Sequence, residues 1–181
     1  MTDIEIKIAE NTLKKLHVKS WGKLTMDDVL GKSKKKQKYI NTKNDLLKNL
    51  NRYVDNILIE KTKYIENSST KDTLFEVLML RFDIIQQNRI SFLKIFEELK
   101  KSPKKILKLF PSLLESMIVT AELAKFNVNG LSGSIRLKGL FIVYFITFFT
   151  WVDDKTDSLE TTMNALDKNL DHAEKFGKYL K

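Results

Sequence analysis

The fold of this chain is most constrained by one uncharged run, GLFIVYFITFFTWV, which occupies residues 139–152. As an α-helix, its 14 residues would extend about 21 Å at ~1.5 Å per residue, short of the ~30 Å hydrocarbon core of a bilayer. Because the run is apolar around its whole circumference, it must be covered on every side. We therefore expect a helix that is central to its own domain, with one face against a partner subunit and no stable membrane insertion.

The rest of the chain has the pattern of long helices joined by short turns. Only 6 glycines and 2 prolines interrupt 181 residues. Apolar residues recur at spacings of three and four, which is the helical period. This pattern predicts helices over residues 4–16, 46–58, 74–85, 90–99, 106–110, 114–126, 139–152 and 159–173. Strand-like alternation of useful length does not occur, so the sequence predicts an all-α fold.

Short polar signals predict where the N-terminal helices begin and end. Thr25 is an N-cap candidate, because two acidic residues suited to a helix N-terminus follow it closely. Gly31 is expected to stop that short helix. Thr42 or Asn41 can cap the long helix that comes next.

Similar signals divide the C-terminal part. Pro111 suits the first turn of a helix, where its missing N–H is harmless, and Asn129-Gly130 is expected to stop that helix. Asp157 to Glu160 has the form of a capping box that opens the last helix. The acidic pair Asp153-Asp154 is expected to be solvated or to cap a helix rather than to bind a cation.

Positive charge is concentrated in the N-terminal third. Residues 1–66 hold 15 Lys+Arg against 9 Asp+Glu, a net charge of +6 within the +9 of the whole chain. Five lysines lie between Lys32 and Lys38. An excess of this kind favours polyanionic partners. A solvated basic loop and a nucleotide-composition bias towards lysine codons are the alternative explanations.

The residues that enzymes and metal sites need are largely missing. The chain has no cysteine, no Gly-rich phosphate loop and no paired-histidine spacing, and His17 and His172 fall in separate helices. We expect no enzyme activity, no cofactor and no metal. The N-terminus MTDIEIKIAE has no uninterrupted hydrophobic region, so we expect no secretory signal and a cytoplasmic protein.

The order of these features resembles that of TetR-type transcriptional regulators. The stretch WGKLTMDDV, residues 21–29, is similar to the turn and second-helix opening of that family. YINTKNDLL, residues 39–47, resembles the family's YxHFxSKExLL segment, with Ile40 in place of Phe. Residues 73–89 and 134–170 resemble the ligand and dimer domain of an alphaproteobacterial branch.

The resemblance implies two modules. Residues 1–46 would form a helix-turn-helix DNA-binding module, and residues 47–181 a larger helical domain for ligand binding and dimerisation. The first module departs from the family, because Thr25 to Ile40 is only 16 residues and leaves each helix with one or two turns. A shortened recognition element rich in lysine would neutralise phosphates but read few bases, so DNA binding would be weak or non-specific. The residues expected to contact DNA are Thr25, Lys32, Lys34, Lys35, Lys36, Gln37, Lys38, Tyr39 and Lys43.

The function that this resemblance implies is that of a homodimeric regulator responding to a small hydrophobic effector. The C-terminal helices would pair across a two-fold axis, so that each dimer presents two basic elements to DNA. Ordinary core packing is the alternative explanation for the apolar residues expected to form the effector pocket. Those residues are Phe82, Ile85, Met117, Ala121, Phe141, Tyr144 and Phe148.

A second family offers a different function. Residues 151–160 and 165–170 also resemble accessory proteins of ubiquinone biosynthesis, which have a TetR-like fold and bind isoprenoid lipid. A chain of that kind would bind lipid and would have no specific affinity for DNA.

Overall fold

Eight α-helices make up most of the computed structural model, which describes residues 1–31, 39–65 and 69–179. No β-strand occurs within those ranges, so the predicted all-α class is confirmed. A 3-10 turn at Thr62–Tyr64 follows the third helix. The α-helices are α1 Asp3–Val18, α2 Met26–Leu30, α3 Lys43–Lys61, α4 Thr70–Gln86, α5 Arg89–Leu99, α6 Pro103–Leu123, α7 Gly130–Asp153 and α8 Glu160–Tyr179.

The predicted caps of the N-terminal helices are confirmed. Thr25 and Asp28 form a reciprocal capping box at the start of α2, and Gly31 ends that helix with a φ of 44°. Thr42 and Asp45 bond in the same way before α3, at 2.9 Å and 3.2 Å between side-chain oxygen and backbone nitrogen. Local sequence therefore determines these three boundaries.

Helix α6 is continuous across Pro111, so the predicted start of a new helix at that proline is wrong. Proline removes the N–H that would bond to the carbonyl of Leu107, four residues earlier. Leu107 and Pro111 lie on the exposed side of the helix, where water can solvate that carbonyl. On the opposite side Leu109 and Ser112 remain buried, and their packing maintains the helix.

The end of α6 also differs from the prediction. The helix stops at Leu123, and Asn129 is the N-cap of α7 rather than the stop of α6. Lys125 adopts a left-handed φ of 53°. Its N–H bonds to the carbonyl of Glu122 at 3.0 Å, while that of Phe126 bonds to Ala121 at 2.8 Å. This is a Schellman motif with lysine at the position that usually holds glycine.

The chain forms two compact units. Residues 1–57 and 84–113 form the first, and the predicted boundary after residue 46 falls inside it. Within this unit α1 packs against α2 and α5. Its core consists of Ile8, Ala9, Leu13, Leu16, Trp21, Leu24, Val29, Leu30, Ile40, Leu46, Leu50 and Ile95.

Residues 58–83 and 114–181 form the second unit, in which α7 and α8 pack side by side. Helix α7 is 24 residues long, and its most apolar 18-residue window has a mean hydropathy of 1.6, so by length and composition it could cross a membrane. Only 28% of its most apolar 18-residue window is buried. Thr147 and Trp151 are on the buried side, whereas Ile142 and Ile146 are exposed. Among the residues that the structure describes, none covers this exposed face of the apolar helix.

The left-handed lysine after α6 gives a stability prediction. Left-handed backbone is strained for a residue with a Cβ and free of strain for glycine, so Lys125→Gly should raise the free energy of unfolding by about 0.5–1 kcal/mol. Urea denaturation followed by circular dichroism measures this change.

The matched control is Lys168→Gly, at an exposed position inside α8. It should lower the free energy of unfolding by about 1 kcal/mol, because glycine disfavours a helix interior. Equal destabilisation by both changes would contradict the assignment of a Schellman motif at Lys125.

Candidate nucleic-acid interface and effector pocket

The segment predicted to contact DNA is described only at its edges. Lys32, Lys34, Lys35, Lys36, Gln37 and Lys38 lie outside the described residues. On either side of the segment the backbone is anchored in the core of the first unit, by Leu30 before it and Ile40 after it. Thr25, Tyr39 and Lys43 are the predicted DNA-contacting residues that the structure describes.

Thr25 is engaged in the start of α2. Its hydroxyl donates to Asp28 Oδ2 at 2.8 Å and accepts from the backbone N–H of Asp28 at 3.1 Å. Asp28 Oδ1 also accepts from Lys19 Nζ at 2.6 Å. The bond to Lys19, with those to Thr25, holds the pKa of Asp28 well below its usual range. A carboxylate therefore already occupies the N-terminus of α2, where a phosphate would otherwise be attracted.

Lys43 connects the start of α3 to the turn between α1 and α2. Its Nζ donates to the carbonyl oxygens of Trp21 at 2.7 Å and Gly22 at 2.9 Å, and lies 5.7 Å from the centroid of the Trp21 ring. Burial lowers the pKa of Lys43, and repulsion by the Lys105 ammonium adds to this effect. In this arrangement Lys43 positions the helix, a role that the sequence pattern did not reveal.

Tyr39 is the most accessible of the three described residues. It is 82% exposed, while the next residue, Ile40, is buried. The phenol therefore projects from the end of the lysine segment, immediately before the cap of α3. A tyrosine in this position can donate a hydrogen bond to a phosphate or stack against a base.

The predicted effector-pocket residues are mostly buried. Phe82, Met117, Ala121 and Tyr144 are buried in the second unit. Ile85 is also buried, but it belongs to the first unit. Phe141 and Phe148 on α7 are half-buried.

Aromatic rings form a row along the inner side of α7. The ring of Phe82 stacks on that of Tyr144, with centroids 5.3 Å apart. Phe148 lies 6.5 Å from Tyr144 and 5.3 Å from Trp151. Such contacts are attractive beyond simple burial of area. Three of the predicted pocket residues, Phe82, Tyr144 and Phe148, thus belong to one packed aromatic row.

Arg81 is a buried cation beside this row that the sequence pattern did not single out. It is buried, and its guanidinium carbon lies 5.5 Å from the centroid of the Tyr144 ring. A guanidinium over an aromatic face is favourable, and more so when both groups are desolvated. The signal in the sequence is a single basic residue inside the mainly apolar stretch LFEVLMLRFDII, which also holds Glu76 and Asp83.

A groove of about 700 Å³ lies where α7 ends and α8 begins. Apolar side chains from α7 line one part of it, and polar residues of the connecting turn line the rest. The lining residues are Ile146, Phe149, Thr150, Asp153, Asp154, Lys155, Thr156 and Thr161.

Asp154 connects the two helices at the base of this groove. Its Oδ1 accepts from the Thr156 N–H at 3.0 Å and the Thr156 hydroxyl at 2.6 Å. Its Oδ2 accepts from the N–H and the hydroxyl of Thr162, both at 2.8 Å. Burial alone would raise the pKa of Asp154, but these hydrogen bonds lower it to about 2. The carboxylate is thus saturated by donors of its own chain.

The cap of α8 differs from the predicted capping box at Asp157 to Glu160. The N–H of Glu160 bonds to the Thr156 hydroxyl at 3.1 Å, and that of Thr162 bonds to Asp154. Leu159 is buried in a left-handed conformation, with a φ of 54°. This turn directs the first N–H groups of α8 back towards Thr156 and Asp154. The expectation that the acidic pair provides a cap is confirmed for Asp154.

Asp154→Ala should destabilise the fold by about 2–4 kcal/mol at neutral pH, because it leaves buried donors without their acceptor. A carboxylate with a lowered pKa contributes stability above its unfolded pKa of ~3.9 and loses it as the pH falls. With a folded pKa of about 2, the difference from the wild type should shrink as the pH falls from ~4 to ~2.

Urea denaturation at several pH values measures this difference, and Asp153→Ala, at the adjacent exposed carboxylate, is the matched control. A stability difference for Asp154→Ala that stays constant down to pH ~2 would contradict the proposed role of its charge.

Comparison with known proteins gives no relative from which function could be transferred. No protein-family model matches the chain, and no curated protein matches its sequence. The resemblance to TetR-type regulators therefore depends on the residues of this chain alone.

Proposed function

We propose that the protein is a homodimeric DNA-binding regulator of the TetR type that responds to a small hydrophobic effector. The observation that carries this proposal is an uncovered apolar surface along α7. We name this surface the α7 stripe, and its residues are Leu131, Ile135, Ile142, Ile146 and Phe149, all exposed.

The geometry of the α7 stripe suits a second helix. Its residues follow one another at intervals of four, seven, four and three, which places them on one side of the helix. Gly139 lies in the long interval, and a Cβ at this position would meet nothing within 4 Å. A partner helix can approach closely at such a point. Met163 adds an exposed apolar side chain on α8.

A second copy of the chain is the occupant that this surface favours. Monomeric proteins rarely expose contiguous apolar surfaces of this extent. Two copies related by a two-fold axis would bury both stripes in a single isologous interface. With α8 beside each α7, the interface would be a four-helix arrangement.

A lipid-facing α7 is the less favourable alternative. Its inner side is bonded to α8, where Asn169 donates to the Thr147 hydroxyl oxygen at 3.1 Å. A membrane-spanning α7 would draw α8 in with it, including the charged side chains of Asp167, Lys168 and Asp171. Charged groups at that depth are expensive. Pairing with a second copy buries the stripe without that penalty.

The basic segment supports the DNA-binding part of the proposal. It connects α2 to α3, is anchored at Leu30 and Ile40, and ends at the exposed Tyr39. A dimer would carry two such segments, ten lysines in all, towards one duplex. Lysines bind phosphates as point charges, so binding would be strongly salt-dependent and weakly selective.

The dimer is tested by sedimentation velocity. The wild type should sediment as a pair of 21.1 kDa chains, and Ile142→Glu combined with Ile146→Glu should give monomers, because the interface would have to bury four charges. The matched control combines Ile59→Glu and Ile90→Glu, two exposed isoleucines outside the stripe. A monomeric wild type at micromolar concentration would refute the dimer.

DNA binding is tested by mobility-shift titration of genomic fragments at several salt concentrations. Changing Lys34, Lys35 and Lys36 to Glu removes six lysines from each dimer. It should weaken binding and reduce the steepness of log K against log salt by about 5, since ~0.9 counterions are released per phosphate contact. The control makes the same charge change at Lys63, Lys155 and Lys168, which are exposed in the second unit. Equal loss in both variants would indicate a net-charge effect only. Equal affinity for all fragments would exclude sequence-specific regulation.

The effector is proposed to bind beside the aromatic row of α7. Mass spectrometry under native conditions identifies a co-purified ligand. Tyr144→Ala combined with Phe148→Ala should abolish retention of that ligand, since both rings belong to the row. Recovery of an isoprenoid or quinone together with no DNA binding would favour the lipid-binding alternative. If no apolar ligand is recovered, the result would contradict the proposal that a hydrophobic effector binds here.

A further inference from the structure

A second basic surface lies at the start of α6, in the first unit. Residues 99–111, LKKSPKKILKLFP, contain five lysines and no acidic residue. The segment covers the end of α5, the turn and the first two turns of α6. We name it the α6 patch.

The α6 patch has an apolar centre. Leu107 is 69% exposed, the highest exposure of any described leucine in the first unit. Lys104 lies one turn before it and Phe110, which is 41% exposed, one turn after it, so the three share a helix face. Lys108 borders the same face. Apolar tips among lysines thus project from one side of the helix.

The opposite side of the helix is anchored. Leu109 is buried, and Ser112 accepts two hydrogen bonds from the amide nitrogen of Asn51 on α3, at its carbonyl oxygen (2.8 Å) and its hydroxyl (3.1 Å). Rotation of α6 to bury Leu107 would break these contacts. The exposure of Leu107 is therefore imposed by the fold.

Part of the charge of the patch is balanced within the chain. Lys100 bonds to Glu97 at 2.7 Å, while Lys101 and Lys105 lie 3.2 Å and 3.8 Å from Glu98. In the part of the chain that the structure describes, no carboxylate lies within 4.0 Å of Lys104 or Lys108. The two lysines nearest to Leu107 thus carry charge that an external anion can balance.

We propose that the α6 patch binds the surface of an anionic lipid bilayer. Lysine side chains can lay their stems along the interface while their ammonium groups meet lipid phosphates. Leu107 and Phe110 would enter the boundary between headgroups and acyl chains. A DNA backbone offers the same phosphates, but it has no apolar region in which a leucine at the centre of the contact gains from burial. The apolar centre is what favours the bilayer.

This binding would be peripheral and reversible. Each lysine close to an anionic surface strengthens binding by about fivefold, and burial of a leucine tip adds about tenfold. Binding should therefore fall as salt increases. It neither requires nor excludes the proposed DNA-binding function, which involves other residues.

Vesicle co-sedimentation of the full chain tests the proposal. The probes are phosphatidylcholine vesicles with and without about one third phosphatidylglycerol, the anionic lipid to which lysines respond. Wild type should bind the anionic vesicles only. Lys104→Glu combined with Lys108→Glu should weaken binding by about 25-fold or more, and Leu107→Ser by about tenfold at unchanged net charge.

Matched controls separate this surface from others. Lys14→Glu combined with Lys15→Glu makes the same charge change on α1, and Ile90→Ser removes an exposed aliphatic side chain outside both the α6 patch and the α7 stripe. Both of these controls should leave vesicle binding within about twofold of the wild type. A separate variant, Leu131→Ser in the α7 stripe, tests whether α7 contacts the membrane instead. Circular dichroism confirms that each variant is folded.

Three outcomes would overturn the proposal. Wild-type chain that stays in the supernatant with anionic vesicles excludes it directly. Loss of binding in Leu131→Ser but not in Leu107→Ser would assign the membrane contact to α7. If the lysine reversals reduce affinity for duplex DNA while Leu107→Ser changes neither assay, the patch is a phosphate-backbone contact. The first and third outcomes leave the proposed regulator intact, because its own test uses Lys34, Lys35 and Lys36. The second would also oppose the proposed dimer, because it would place lipid on the α7 stripe.

Discussion

The apolar helix α7 sets the requirement that the rest of the second unit must meet. A helix without polar residues on most of its circumference has to be covered, and the unit covers its inner side with α8 and the ring of Phe82. Asp154 secures this arrangement by accepting four hydrogen bonds at the turn into α8. The apolar side chains on the outer side of α7 stay exposed, and the dimer is proposed because a second copy would bury them.

Some of the lysines of the first unit bond to backbone carbonyls of the same unit and so stabilise its structure. Lys94 donates to the carbonyl oxygens of Leu16 and His17 at 2.6 Å and 2.9 Å, which caps the end of α1. Lys43 satisfies two further carbonyls. Both ammonium groups keep their charge, but their hydrogen bonds to these carbonyls are part of the fold. The two proposed contact surfaces, the α6 patch around Leu107 and the segment from Lys32 to Lys38, each contain five lysines.

Periodicity and local caps predicted most of the helical order, because both depend on neighbours a few residues apart. The capping residues Thr25 and Thr42 are examples, since each bonds to an acid three residues later. Boundaries that depend on distant packing were missed. Pro111 lies inside α6 because the other side of that helix is buried. Lys125 tolerates a left-handed backbone because two backbone hydrogen bonds, from its own N–H and from that of Phe126, close the turn around it.

In the candidate sites, too, sequence pattern identified some of the residues and missed others. Sequence pattern identified Phe82 and Tyr144 as interior residues of one apolar region, and these two rings do stack. It did not identify Arg81 over Tyr144, because a buried charge has no periodic signature. It also could not distinguish a lysine that meets backbone carbonyls, such as Lys43, from one that meets solvent.

By itself, the sequence determined an all-α chain, the periodic faces of its helices and the local caps of α2 and α3. Each of these properties is encoded by residues within one or two helical turns of one another. Only the tertiary structure decided which face of α7 and which face of α6 remain uncovered. Coverage depends on residues far apart in the chain, as Asn51 and Ser112 illustrate, and so spacing along the sequence cannot reveal it.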